Sequence, residues 1–340
     1  MNAHLAQFSN DLRARALGLL WAQWDELGAT GHAAWDRPVA IDPDALLAFS
    51  CSLARQDARL FDEILDWLAV NGRFLNVQRL ANVVQKSGLR GGPVLSAVAD
   101  FMARSGFSAK WERLARLFRR ADAEPEPLFY VDAGTPMPDF GPPDPVFLEH
   151  GFTRGTVRLR EHARPFAAGR PANLWLALRA LLGVNARCEI WLYLLLNGKG
   201  HARGIARETG YFQKTIQDAL AEMGQSGFVR GQAKGRERLY AFAPEMAGAF
   251  APRGPLPRWL NWPAVFAAVE SIWTFVQDPQ TEACDDWMLA ARLHALIRDV
   301  AARLTQAGVP HALEPRTVED PAAYVQTGWR ELADFVAGIF

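Results

Sequence analysis

Cysteine is scarce and odd in number: Cys51, Cys188 and Cys284 are the three among 340 residues. Their wide spacing gives neither a disulfide framework nor a metal-ligand set, and reduced core thiols are the expectation. Long apolar runs are missing too. No stretch approaches the roughly 20 apolar residues of a membrane span. The polar start Met1–Asn10 and the short run Ala16–Trp21 give no secretory signal. A cytoplasmic location without a membrane partner follows as an expectation. Familiar catalytic signatures are also lacking: no Gly-x-Ser-x-Gly elbow, His-Glu-x-x-His pair, Walker loop or Gly-x-Gly-x-x-Gly occurs, and the seven histidines show no pairing. Asp62, Glu63 and Asp66 fall near one helical face, which is expected to be solvated rather than catalytic. No enzyme, cofactor or metal site is expected.

What is present is an ordinary globular composition, 50% hydrophobic and 22% charged, with twelve tryptophans spread as core anchors. Net charge is zero, but unevenly so. Residues 1–150 carry net −4, residues 151–240 net +9, and residues 241–340 net −5. A basic middle between acidic flanks points to a polyanion partner for the middle.

The fold expected is mainly α, in four parts. Residues 1–121 form an N-terminal helical domain, with helices at Ala14–Leu27, after the Asp42-Pro43-Asp44 start, and at Asp57–Val70, Val77–Gln85, Pro93–Arg104 and Ala109–Arg119. Residues 122–172 are a Pro/Gly-rich linker or strapping loop. It bears an arginine-rich stretch (Arg154, Arg158, Arg160, Arg164, Arg170), of which the first four make either a basic arm for phosphates or a solvated or salt-bridged edge strand, with a short strand at Thr156–Arg160. Residues 173–243 are the basic module, and residues 244–340 a C-terminal helical region with helices near Pro263–Gln277, Ala283–Ala307 and Pro321–Gly338. The apolar side of the second of these, from Met288 to Leu304, suits a core or a dimer seam.

In the module, Ala186–Leu196 and His201–Thr209 have helical spacing. Gly210 permits a tight turn, a second helix spans about 212–226, and strands flank a turn at 233–236 to make a β-hairpin, the wing, over 228–242. Ile216, Leu220 and Met223 face inward, leaving Gln213, Lys214 and Gln217 outward, where such a helix fits the major groove of double-stranded DNA. Lys234, Arg236 and Arg238 place positive charge on the hairpin for phosphates. Arg203 and Tyr211, beside the turn, complete the DNA-binding candidates.

The strings Leu-Leu-Gly-Val-Asn-Ala-Arg (181–187), Ala-Arg-Gly-Ile-Ala-Arg-Glu-Thr-Gly (202–210), Lys-Thr-Ile-Gln-Asp-Ala-Leu (214–220) and Ser-Gly-Phe-Val-Arg (226–230) resemble winged helix-turn-helix regulators of the MarR/ArsR type. The resemblance covers about 70 residues and implies a homodimeric, DNA-binding transcriptional regulator. A small-molecule effector or protein partner would act through the helical flanks. The alternative is a winged-helix protein-interaction module, antitoxin-like or scaffold, that holds its partner by those flanks. An enzyme with an unrecognised site in the N-terminal helices is the third option.

Overall fold

The computed structural model describes residues 3–120, 124–132, 134–138, 141–235, 237–246 and 255–339, apart from the side chains of residues 3, 4, 234 and 339. Fifteen helices dominate those residues. The first six are α1 (Ala3–Glu26), α2 (Pro43–Leu53), α3 (Ala58–Asn71), α4 (Val77–Ser87), α5 (Gly92–Arg104) and α6 (Glu112–Leu117). Asp42 caps α2 as its Asp-Pro start requires, accepting from the backbone N–H groups of Asp44 and Ala45. Asp57 caps α3 in the same way.

A strap follows, with β1 (Glu126–Pro127), α7 (Pro145–Glu149) and β2 (Phe152–Thr153), the two short strands pairing in parallel. The stretch expected to be a strand at Thr156–Arg160 forms none. The acidic face of α3 fastens the strap. Asp62 pairs with Arg154 at 2.8 Å, and Asp66 accepts the backbone N–H groups of Arg160 at 2.7 Å and His162 at 3.3 Å. Glu63 and Asp66 are therefore buried, not solvated. Arg154 is buried as well, its guanidinium 5.1–5.9 Å from the ring centres of Phe61, Phe129 and Phe147.

The chain continues through α8 (Leu174–Leu182), α9 (Ala186–Asn197), β3 (Lys199–His201), α10 (Ala202–Thr209), α11 (Gln213–Gln225), β4 (Val229–Lys234) and β5 (Glu237–Phe242). The last helices are α12 (Trp262–Gln277), α13 (Pro279–Ala283), α14 (Asp286–Ala307) and α15 (Pro321–Ile339). No described helix is long and apolar enough to cross a membrane.

Two cores hold the molecule. The larger joins the N-terminal helices, the strap and α12, α14 and α15 in one cluster. Phe49 of α2 stacks on Phe266 of α12 with centroids 4.6 Å apart, and the Trp262 indole donates to the Ala40 carbonyl at 2.7 Å. Leu293, Ile297, Val300 and Leu304 of α14 are buried in this core, so that side completes the core and is not free as a seam. Gly328 of α15 permits the approach, since a Cβ there would lie 2.6 Å from Leu293. The second core belongs to residues 174–229 and centres on Trp175, Trp191, Ile205, Ile216 and Leu220. Cys51 and Cys188 are buried, one in each core, while Cys284 is half-exposed outside both.

Candidate nucleic-acid interface

The small sheet has the order β3-β5-β4, antiparallel throughout. The hairpin pairs Val229 with Phe242 and closes with Lys234 opposite Glu237, and Gly235 in the turn has φ +62°. Strand β3 carries no β-forming residue in Lys-Gly-His, so no local preference signals it.

α10 and α11 pack against each other across the turn at Gly210. His201 caps α10, its ring Nδ1 accepting from the Gly204 N–H at 2.8 Å. Gly210 then adopts the left-handed conformation, φ +77°, which turns the chain without the strain a side chain would meet. Ile216, Leu220 and Met223 of α11 are buried against α9 and α10. Gln213, Lys214, Gln217 and Asp218 are exposed on the other side. Lys214 is 81% exposed and pairs along its own helix with Asp218 at 2.6 Å. Arg238 projects from β5, its guanidinium 5.8 Å from the Tyr240 ring centre. Arg203 is exposed on the first turn of α10. Arg236 lies outside the described residues, as does the side chain of Lys234.

Tyr211 sits differently. It is half-buried, and its hydroxyl accepts a hydrogen bond from the Asn76 amide, so it faces the helical body and not the open side. Burial, which dominates there, pushes its phenol well above the ordinary tyrosine range.

The body grips the whole α10–α11 turn through α4. Arg79 Nε donates to the Thr209 carbonyl at 2.5 Å, and Asn82 to the Gly210 carbonyl at 3.2 Å. Lys86 Nζ reaches the carbonyls of Gly210 at 3.4 Å and Tyr211 at 3.3 Å. Beneath the turn lie five buried charged groups. Arg79 bonds Asp42 at 2.5 and 2.7 Å and Asp44 at 2.9 Å. Arg179 of α8 bonds Asp44 at 2.7 and 2.9 Å and Glu189 of α9 at 2.6 and 3.0 Å, while the Trp175 indole donates to Glu189 at 2.8 Å. Burial alone would raise the Asp44 carboxyl, but Arg179 and Arg79 outweigh it and hold that carboxyl below the usual range. At Glu189 burial wins over the same two arginines, and its carboxyl is raised.

This network revises the meaning of the basic middle. Arg154, Arg160, Arg170 and Arg179 pair with Asp62, Glu63, Glu26 and Asp44 of the N-terminal helices. Arg230 pairs with Glu245 beyond the stretch, while Arg187 and Arg207 pair with Glu222 and Glu208, which the +9 already counts. Much of the +9 is thus neutralised inside the molecule, and Arg154, Arg160 and Arg170 do not make a free basic arm. Sequence reasoning missed Arg79, Asp44, Arg179 and Glu189. One signal was there: Arg179 is the single charge in the apolar helix Leu-Trp-Leu-Ala-Leu-Arg-Ala-Leu-Leu, a setting that demands a buried partner.

No group of His, Cys, Asp and Glu residues fit to hold a metal ion lies among the described residues. Compared with known proteins, the chain matches no family model, no curated sequence and no solved structure.

Proposed function

We propose that this chain is a sequence-specific, double-stranded DNA-binding transcriptional regulator, with residues 173–243 as a winged helix-turn-helix. The order helix, short strand, two crossing helices and hairpin, with β3 on the far edge of the hairpin sheet, supports this reading. The observation that carries it is the open side of α11, where Gln213, Lys214 and Gln217 stand exposed beside the hairpin that bears Arg238. Gln and Lys there are placed to meet base edges in the major groove, while the hairpin and Arg203 meet phosphates. A homodimer reading two half-sites would lengthen the recognised sequence. The MarR/ArsR resemblance rests on the residues of the module.

Selection from a pool of random duplexes, followed by titration at several salt concentrations, tests this. With about three to five free cations per protomer engaged, log K should fall against log salt with a slope of about −3 to −5 per protomer. Recovery of no enriched sequence, together with salt-independent or absent duplex binding, overturns the proposal. That outcome favours the second reading, a protein-docking module. Exposed Phe212 and Leu181, at 59% and 62%, offer apolar surface for it on the same module.

A further inference from the structure

Where α4, the α10–α11 turn and α14 converge, a cleft of about 430 Å³ opens. Its cations come from three parts of the fold: Lys86 from α4, Arg203 and Arg207 from α10, and Arg303 from α14. Gln213 and Gln306 add amides, and no carboxylate lines it. Two of the cations are compensated from behind, Arg207 by Glu208 at 3.0 Å and Arg303 by Asp299 at 2.8 Å. Lys86 and Arg203 form no ion pair with a described carboxylate. Burial holds the Lys86 ammonium below the usual lysine range, a cost that a bound anion would relieve. The cleft also meets the start of α11, where Phe212 offers no side-chain cap to the first N–H groups. Those free donors and the helix dipole add to the field of the two unpaired cations.

We propose that this cleft binds a phosphoryl group. Lys86 supplies a compact charge, the Arg203 guanidinium a fork of donors for two oxygens, and α11 its leading N–H groups. Lys86 also donates to the carbonyls of Gly210 and Tyr211 beside the bonds from Arg79 and Asn82, so an anion that draws on its ammonium loosens that part of the tie between α4 and α11. The group comes either from a small phosphorylated molecule or from a backbone phosphate of a bound duplex. The site itself stands apart from the DNA reading, and only the second source rests on it.

The test uses the full chain. Pyrophosphate is titrated by calorimetry into the wild type and the variants Lys86→Gln and Arg203→Gln, with Lys199→Gln as a control cation outside the cleft. The same four proteins are titrated with random duplex across salt. Saturable pyrophosphate binding that weakens about tenfold or more in each cleft variant, and not in the control, establishes a small-anion site; that is the scale of one charge-assisted hydrogen bond. No pyrophosphate binding, but a salt slope for duplex that flattens by about one in each cleft variant alone, assigns the group to the DNA backbone. Pyrophosphate binding without any duplex binding keeps the cleft and removes the DNA reading. The proposal is overturned if neither probe responds to the cleft variants, or if the control weakens binding equally. Both substituted side chains are exposed, so an unchanged far-ultraviolet circular dichroism spectrum and a cooperative melt verify that folding is intact, with Lys86→Gln melting slightly lower because it loses its bonds to the turn carbonyls.

Discussion

Arg179 shows how strongly one side chain can tie separate parts of a chain. It is fully buried and shared between Asp44 of the body and Glu189 of the module. Replacement by leucine leaves two carboxylates buried with half their partners gone, and breaking such a pair typically costs 3–5 kcal/mol, so Arg179→Leu is expected to lose about that much. Urea unfolding measures it; a loss below about 1 kcal/mol would mean the network is solvated. Lys110 gives a pH-dependent counterpart. Its ammonium donates to the carbonyls of Gly72, Arg73 and Leu75 at 2.8–2.9 Å, yet burial lowers it to about 8 from an ordinary 10.5. Below pH 8 both folded and unfolded chains hold the proton, and the burial penalty is fully present. From about 8 upward the folded chain releases the proton while the unfolded one keeps it, so this residue's contribution to stability rises with pH. Between pH 8 and 10 the wild type should gain stability relative to Lys110→Met. A flat difference in urea midpoint across that range contradicts the assignment.

Among the elements, α11 and the hairpin make separable contributions under the proposed function. Lys214→Ala or Gln217→Ala should change which duplexes are selected, whereas Arg238→Ala should weaken all duplexes alike and reduce the salt slope by about one. Selection profiles that shift equally in both classes remove the groove assignment for α11. These elements were largely legible in the sequence. Apolar spacing locates α2, α3 and α14, the Asp42-Pro43 start marks the cap of α2, and Gly210 marks the turn. The rest was hidden for physical reasons. Lys199–His201 becomes a strand only because β5 offers it a partner, a tertiary effect that no local preference reports. Glu63 and Asp66 look solvated on a helical wheel; the proline-rich strap that covers them comes from about 90 residues further along. Tyr211 has the place of an outward residue beside a turn, but its direction is set by Asn76, the cap of α4, distant in sequence.

For the whole molecule, the charge asymmetry takes on a structural meaning. Acidic N-terminal helices and the basic stretch that follows attract each other, and ion pairs such as Arg154–Asp62, Arg170–Glu26 and Arg179–Asp44 fix where the strap and the module sit. The two hydrophobic cores are distinct, so hydrophobic burial alone would allow them to unfold separately, the usual behaviour of a chain this long. The buried network and the α4 grip on the turn oppose that. Opening the module away from the body would break the buried Arg179–Asp44 pair and the Arg79 bond to the Thr209 carbonyl, leaving Asp44 and Arg179 each with fewer partners. A single urea transition is therefore expected, with tryptophan fluorescence and far-ultraviolet circular dichroism coincident. In the double variant Arg79→Leu, Arg179→Leu the coupling charges are gone and the curves should separate into two steps. Two steps already present in the wild type would show that the cores are joined too weakly for the body to report on the position of α11. One step in both proteins would place the coupling in apolar contacts rather than in the buried charges.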